Sequence, residues 1–304
     1  MFYDFCSVES DTANKMDEWV IFYEKSVKLI KKYLTSYFAK KPPNLHPTLW
    51  SAMKYTVLNE GKRLRPTLVL LGAKLINPNC KLTALLPTSV GIEFIHTYSL
   101  IHDDLPPLDN DDYRRGRPSC HRKFGEDVGI LTGDALLTEG FALIAKEQRK
   151  HSSPGKIIKV IEVLSSAIGP SGMITGQLMD LKINKQRDDK KNIDFVQMYK
   201  CKTADLIAAS LVCGAILAGG DKKKINVIKR IGEKLGILFQ LTDDLVDIEK
   251  DKLKHILTYP IVYGKEKTLL LVNSIKEEII SLVNKNKRFK IIIPLMNYII
   301  AREK

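Results

Sequence analysis

Apolar residues recur at intervals of three and four along most of the chain, which is the period of a helix with one buried face. Residues 50–58 show this spacing, and strand-like alternation bounded by turn residues is scarce. Two stretches, residues 88–102 and 228–249, are apolar on nearly every side. Such stretches predict central helices. The pattern as a whole predicts an all-α protein.

The 304 residues are enough for one large domain or two ordinary ones. No internal repeat is visible, and the polar, loop-like stretches at 40–47, 149–156 and 184–192 are too short to be domain linkers. We therefore predict a single domain over residues 1–304, with residues 1–17 a candidate for disorder.

Two clusters of aspartates interrupt the apolar, helix-like stretches: Asp103-Asp104-Leu105-Pro106-Pro107-Leu108-Asp109 and Asp243-Asp244-Leu245-Val246-Asp247. Neighbouring carboxylates repel one another, and an apolar setting does not offset their charge. A bound cation therefore has to offset it. Mg²⁺ prefers oxygen ligands and usually binds through one or two carboxylates together with substrate phosphates. The clusters predict a site for a phosphorylated ligand held through metal ions.

The two clusters differ in local geometry. Asp243 and Asp247 are four residues apart, so on a helix they share one face and one metal could touch both. Pro106 and Pro107 should end the helix that runs from about Gly91, because proline cannot continue it. The first cluster is then at a helix C-terminus, where the helix dipole disfavours anions.

The chain has 48 Lys and Arg against 35 Asp and Glu, a net charge of +13. Most of the excess is scattered lysine, as on a solvated surface. No stripe of basic residues interleaved with aromatics is visible, which argues against nucleic-acid binding. Arginine pairs bidentately with phosphate or with nearby carboxylates. Two short motifs hold Arg63, Arg65, Arg114, Arg115 and Arg117.

The five cysteines are an odd number without CxxC spacing, which argues against a zinc site and a disulfide scaffold and favours a reducing cytoplasm. No uninterrupted apolar window of 18 residues is present, and the N-terminus lacks a basic region followed by an apolar run. We predict a cytoplasmic protein without a membrane span.

Further polar motifs lie between apolar helices: Gly61-Lys62-Arg63-Leu64-Arg65-Pro66, Arg114-Arg115-Gly116-Arg117-Pro118, Gly176-Gln177-Leu178-Met179-Asp180, Lys202-Thr203 and Phe239-Gln240. In this order, and with the two Asp clusters, they resemble the trans-prenyl diphosphate synthases over residues 49–247 and again at residues 258–260. The resemblance is strongest to bacterial farnesyl diphosphate synthases, which also have four residues between the positions of Asp104 and Asp109.

This resemblance implies an all-α isoprenoid synthase fold, a large helical bundle around a deep central cavity, and a homodimer. It implies ionisation of an allylic diphosphate, dimethylallyl or geranyl, attack by the double bond of isopentenyl diphosphate, and loss of a proton to the departing pyrophosphate. The implied cofactor is Mg²⁺, as three ions with substrate bound. The implied product is farnesyl diphosphate.

By position in the motifs, the resemblance implies roles for individual residues. The implied metal ligands are Asp103, Asp109, Asp243 and Asp247. Asp104, Asp244 and Lys202 complete the implied catalytic set. Isopentenyl diphosphate would be held by Gly61, Lys62 and Arg65 of the first motif, together with His96 and Arg115. The allylic substrate would be faced by Arg114, Lys202, Thr203 and Gln240.

Tyr98, with its neighbour Ser99, is the candidate that sets product length. Tyr98 precedes Asp103 by five residues, or roughly 7.5 Å along a helix. In the resembling family an aromatic residue here stops elongation at C15, which favours farnesyl diphosphate. Geranylgeranyl diphosphate stays open as the alternative, because residues on other helices also limit length.

The sequence departs from the family after the second cluster. Only the ten residues 248–257 separate Asp247 from Thr258, whereas the family has a longer Gly-Lys loop and a lysine where Ile256 stands. In the family, this loop closes over the allylic diphosphate. Because the loop is missing here, a weakly active or non-catalytic subunit stays open as an alternative interpretation. The other alternative is that Lys250, Lys252 or Lys254 supplies the positive charge that the missing loop would carry. A terpene cyclase shares the first cluster, but the second argues against it.

Overall fold

The computed structural model describes residues 9–185 and 193–301, with side chains from residue 18 onward. Within these residues the regular secondary structure is helical apart from one two-stranded hairpin, so the all-α prediction is confirmed. Of the segment predicted as a candidate for disorder, residues 1–8 lie outside the described residues, and the first helix begins at Glu9.

The helices within the described residues are α1 (Glu9–Tyr37), α2 (Pro47–Leu58), α3 (Leu64–Ile76), α4 (Leu86–Asp103), α5 (Cys120–Phe124), α6 (Glu126–Lys146), α7 (Pro154–Ile168), α8 (Met173–Lys185), α9 (Phe195–Tyr199), α10 (Asp205–Leu217), α11 (Lys222–Val246), α12 (Ile248–Lys254), α13 (Tyr259–Tyr263), α14 (Lys265–Asn284) and α15 (Ile292–Ala301). The hairpin pairs β1 (Tyr113–Arg114) with β2 (Arg117–Pro118), and a π-helical turn spans Lys200–Ala204.

The chain divides into two compact units. Of the described residues, those within Met1–Glu24, Val163–Val212 and Gly220–Lys304 form unit 1, and those within Lys25–Glu162 and Cys213–Gly219 form unit 2. Each contains one of the two Asp clusters. The single domain predicted from the sequence stays a prediction.

Unit 2 is built around the close packing of α4 on α6. A Cβ on Gly91 would lie 2.7 Å from the Gly140 carbonyl oxygen, and a Cβ on Gly140 would lie 2.8 Å from that of Gly91, so the two backbones are nearly in contact. Most side chains of α4 are buried, as its sequence predicts. The helix ends at Asp103, with Asp104 as its C-cap, which confirms the stop predicted from the two prolines.

Unit 1 is organised around α11, which packs on α14 and α15. Gly232 of α11 allows a close approach, because a Cβ there would lie 2.5 Å from Cα of Ala208 in α10. The prediction of an apolar helix over residues 228–249 is wrong at both ends. Lys229 and Arg230 are exposed, and α11 ends at Val246 before a new helix begins at Ile248.

Among the described residues, two stretches, Glu126–Lys150 and Pro154–Lys185, are long and apolar enough to span a membrane. Length and composition are weak grounds, since buried helices of soluble proteins meet the same criterion. The second stretch is also divided between α7 and α8. The absence of a membrane span stays a prediction.

Candidate active site

The first Asp cluster, in unit 2, forms a tight turn at the C-terminus of α4. The Asp109 N–H donates to the Asp103 carbonyl at 2.8 Å, and the Asp111 N–H donates to the Asp104 carbonyl at 3.2 Å. Asn110, between them, has a φ of 52°, in the left-handed region that asparagine tolerates. The backbone therefore returns Asp109 to the side of Asp103, where the helix dipole favours a cation.

Asp104 differs from the other carboxylates of this cluster because it is 3% exposed. The Arg114 Nε donates to its Oδ1 at 2.8 Å, and Arg114 Nη2 contacts the same oxygen and Asp111. Burial raises the pKa of the Asp104 carboxyl, and the Arg114 guanidinium opposes that rise. Asp104 therefore holds Arg114. The arginine that was predicted to face the allylic substrate is bound to a protein carboxylate in the structure.

The second arginine motif is a two-residue hairpin. Arg115 and Gly116 have φ angles of 54° and 74°, as in the type I′ turn that suits twisted strands. Two bonds from neighbouring residues hold the hairpin: Asn59 Nδ2 donates to the Arg114 carbonyl at 3.2 Å, and the Tyr55 hydroxyl donates to the Pro118 carbonyl at 2.8 Å. These contacts fix the backbone of the hairpin and therefore the position of the Arg115 Cα.

Four predicted residues for isopentenyl diphosphate come together in unit 2. Arg65 Nη1 lies 3.1 Å from His96 Nε2, and a Cβ on Gly61 would overlap the Arg115 guanidinium. Burial lowers the pKa of His96 well below its ordinary 6.5, and the nearby Arg65 and Arg115 add to the effect. His96 is therefore a neutral imidazole whose Nε2 accepts from Arg65.

Lys62 is exposed in the same turn, whereas Arg63 points inward. Arg63 is the N-cap of α3, with a left-handed φ of 46°, and it forms a buried ion pair with Glu93. Its Nη2 donates to the carbonyls of Val57 and Asn59 at 2.6 Å each. Arg63 therefore ties α2 to α4, and phosphate recognition does not extend to it.

Tyr98 is 7% exposed and packs edge-on against His102, with ring centroids 5.7 Å apart. Burial raises the pKa of Tyr98 to about 12, with a further contribution from the Asp103 charge, which places Tyr98 near the first cluster. The Ser99 hydroxyl donates back to the His96 carbonyl at 2.9 Å. The chain-length role of both residues stays a prediction.

The second Asp cluster, in unit 1, occupies the end of α11. The Asp247 N–H donates to the Asp243 carbonyl at 3.0 Å, so the predicted spacing of one helical turn is confirmed. Asp244 is 5% exposed and accepts from Gln240 Nε2 at 2.9 Å and from the Tyr199 hydroxyl. Burial raises the pKa of the Asp244 carboxyl to about 6, and these two hydrogen bonds oppose the rise.

Both remaining residues predicted for the allylic side lie on the π-helical turn in unit 1, a feature frequent at functional sites. The Thr203 hydroxyl donates to Gln240 Oε1 at 3.0 Å, and Lys202 pairs with Asp180. A Cβ on Gly176 would overlap the backbone of Lys202, so only glycine allows α8 this close. Asp180 was not among the predicted site residues. The polar motif that it ends, residues 176–180, was the signal in the sequence that could have identified it.

The shortened segment after the second cluster is mostly helical. Ile248–Lys254 form α12, and His255 follows in the left-handed conformation with a φ of 56°. Lys252 pairs with Glu249 at 2.8 Å, with both side chains more than half exposed, and Lys250 and Lys254 are also exposed. The structure gives these lysines a surface setting, and their substitution for the missing loop stays a prediction.

Within the part of the chain that the structure describes, no three His, Cys, Asp or Glu side chains converge into a group that could hold a metal. Each cluster instead offers a pair of carboxylates, Asp103 with Asp109 and Asp243 with Asp247. Paired carboxylates suit Mg²⁺, which takes its other oxygens from phosphate and water. That the two clusters serve one diphosphate stays a prediction.

Comparison with known proteins identifies a family for this chain. Residues 46–278 match the family model described as polyprenyl synthetase. A geranylgeranyl diphosphate synthase of Cyanophora paradoxa is 38% identical over 263 residues, covering 81% of this chain and 86% of that protein. A chloroplastic geranylgeranyl pyrophosphate synthase of Arabidopsis thaliana is 34% identical over 278 residues, covering 87% and 78%.

Among solved structures, an FPP/GFPP synthase of Zymomonas mobilis superimposes with a TM-score of 0.81 at 29% identity, covering 95% of this chain and 100% of that one. The predicted isoprenoid synthase fold is thereby confirmed.

Proposed function

The chain belongs to the polyprenyl synthetase family, and we propose that it condenses isopentenyl diphosphate with an allylic diphosphate to make geranylgeranyl diphosphate. The observation that carries the condensation is the grouping of Gly61, Arg65, His96 and Arg115. Two guanidinium groups beside a neutral histidine suit a diphosphate, because arginine pairs bidentately with phosphate oxygens.

Each of these residues has a distinct task in the proposal. Arg65 and Arg115 bind the diphosphate of isopentenyl diphosphate. His96 accepts from Arg65 and so orients that guanidinium. The missing side chain of Gly61 leaves room for Arg115.

On the allylic side, Lys202 and Thr203 face the diphosphate that leaves. Asp103 with Asp109 and Asp243 with Asp247 are the residues that would hold Mg²⁺, which would supply positive charge against the charge developing on the leaving group. Asp104 and Asp244 are buried, and they hold Arg114 and Gln240 in place through hydrogen bonds. No protein nucleophile is required, and the departing pyrophosphate takes the proton.

Product length rests on two opposing observations. The relatives from Cyanophora paradoxa and Arabidopsis thaliana are named geranylgeranyl synthases, which favours a C20 product. Tyr98, buried five residues before Asp103, favours a stop at C15, so farnesyl diphosphate is the second candidate. The relatives span most of this chain and Tyr98 is one residue, so we give them more weight.

The proposal also includes a homodimer in the cytoplasm. The homodimer rests on the family resemblance. The described cysteines, Cys80, Cys120, Cys201 and Cys213, are free thiols, which supports a reducing compartment.

The proposal is tested by incubating the purified chain with Mg²⁺, isopentenyl diphosphate and, separately, dimethylallyl, geranyl or farnesyl diphosphate, and reading product length by mass spectrometry. We expect a C20 diphosphate from every starter and no turnover with a chelator present. Accumulation of C15 with no extension of farnesyl diphosphate would establish the second candidate. No condensation with any starter would overturn the proposal and favour a non-catalytic subunit.

A further inference from the structure

Tyr199, at the end of α9, joins the second Asp cluster to the segment that follows it. The ring is 2% exposed. Its hydroxyl donates to Asp244 Oδ2 and accepts from the Tyr259 N–H at 2.9 Å. A single buried oxygen therefore satisfies both a carboxylate of the cluster and a main-chain donor located after the shortened segment.

Asn184, on α8, provides a second anchor for the same segment. Its Oδ1 accepts from the Leu257 N–H at 2.8 Å. Its Nδ2 donates to the Asp180 side chain at 3.0 Å, and Asp180 also pairs with Lys202. The end of the segment is thus tied to a residue proposed for allylic binding.

Backbone bonds fix the segment between its ends. The Asp251 N–H donates to the Asp247 carbonyl at 2.8 Å, and the Ile256 N–H donates to the Asp251 carbonyl at 2.9 Å. The segment therefore leaves the second cluster as helix and returns to Tyr199 through hydrogen-bonded backbone. Such a segment is held in place by its anchors, in contrast to a long loop that closes on substrate.

We infer that Tyr199 is a positioning residue for the allylic side: its hydroxyl fixes Asp244 and Tyr259, so the cluster and the short segment keep one arrangement. This inference rests on the proposed function. Without the hydroxyl, buried Asp244 keeps Gln240 but loses its other described donor, and the Tyr259 N–H loses its acceptor. An unpaired buried group is costly, so the end of α11 should rearrange and bind the allylic diphosphate more weakly.

Tyr199→Phe tests this against Tyr263→Phe. Tyr263 belongs to the same aromatic cluster, with its ring 4.7 Å from that of Tyr259, but its hydroxyl donates to the Ile193 carbonyl at 3.3 Å. Three quantities are measured: the affinity for geranyl S-thiolodiphosphate with Mg²⁺ by calorimetry, the KM of each substrate, and hydrogen exchange of a peptide containing Tyr259.

For Tyr199→Phe we expect affinity for the analogue about tenfold weaker, the scale of one hydrogen bond to a charged group, and a similar rise in the allylic KM. The KM for isopentenyl diphosphate should stay unchanged, and exchange at Tyr259 should be faster. Tyr263→Phe should match the wild type in both KM values and in affinity.

Equal changes in both KM values, or equal effects of the two variants, would overturn the inference. A Tyr199→Phe protein that does not fold would also overturn it, because the hydroxyl would then be a requirement of the fold. If the wild type makes no product, the proposed function fails, but analogue binding and hydrogen exchange still decide the role of Tyr199.

Discussion

Arg63 and Glu93 form an ion pair whose side chains are 3% and 2% exposed. Removing one partner leaves a buried charge uncompensated, so Arg63→Met should lower the free energy of unfolding by about 3–5 kcal/mol. The matched control is Arg122→Met, which breaks the pair with Asp112, where both side chains are more than half exposed. That change should cost less than about 1 kcal/mol. Urea unfolding measures both, and equal losses would contradict the structural role of Arg63.

His96 makes stability depend on pH. Its pKa in the folded chain lies well below 6.5, and unfolding restores the ordinary value, so below about pH 6.5 the unfolded chain binds a proton that the folded chain does not. The free energy of unfolding should therefore fall as the pH drops below about 6.5, by up to about 1.4 kcal/mol per pH unit.

The test compares urea unfolding at about pH 7 and about pH 5.5, on either side of the ordinary histidine pKa, for the wild type, His96→Gln and His151→Gln. His151 is exposed, so its variant should follow the wild type, while His96→Gln should lose less stability on acidification. Parallel losses in all three proteins would show that His96 is not held neutral.

Tyr98 is the residue at which product length is most open to change. Replacing its buried ring with a methyl group opens space near Asp103, so Tyr98→Ala should shift products of the wild type toward longer chains. Mass spectrometry of the products checks this. Ser99→Ala is the control, because the Ser99 hydroxyl bonds to its own helix. An unchanged distribution for Tyr98→Ala would place the limit on another helix.

At the residue scale, motif position grouped Arg65, His96 and Arg115, which lie close together in the structure, but it left open whether Arg63 pairs with phosphate or with a carboxylate. The two arginines of the first motif look alike in sequence, and only the left-handed turn at Arg63 directs it toward Glu93. Tyr199 was missed because its partners, Asp244 and Tyr259, are 45 and 60 residues away. Contacts over such distances leave no mark in local sequence.

At the element scale, α4 and α6 depend on glycine at their crossing. A Cβ on Gly140 would lie 2.8 Å from both the Gly91 carbonyl oxygen and Ile95 Cγ1, so Gly140→Ala should push the helices apart and cost about 1–3 kcal/mol. Gly155→Ala in the first turn of α7 is the control, because a Cβ there meets nothing within 4 Å. Thermal unfolding distinguishes them, and equal effects would contradict the close packing.

The ends of helices were predictable where a residue with a restricted backbone, such as proline, sets them. Two prolines stop α4, so its end followed from sequence. The break of α11 at Asp247 and the π-helical turn at Lys200–Ala204 did not, because neither has a proline or glycine to mark it. The π-helical turn lies where Gly176 lets α8 approach, a tertiary contact that composition does not predict.

For the whole molecule, each Asp cluster has its own support inside its own unit. Arg114 partners Asp104 in unit 2, and Gln240 with Tyr199 partners Asp244 in unit 1. In each cluster a buried carboxylate holds protein groups, while two flanking carboxylates form the predicted metal pair. Spacing predicted that Asp243 and Asp247 share a helix face, and the family resemblance implied the pair Asp103 and Asp109, but neither indicated that Asp104 and Asp244 are buried.

The most direct test of the account is condensing activity in Asp103→Asn and Asp243→Asn, with Asp112→Asn as the control, since Asp112 pairs with Arg122 at the surface. A neutral amide cannot replace a carboxylate toward Mg²⁺, so each of the first two variants should lose roughly a thousandfold or more of kcat/KM. Both should unfold at the wild-type temperature, and Asp112→Asn should stay within about twofold in activity. Near-normal turnover in either cluster variant would contradict prenyl transfer through two metal-binding Asp clusters.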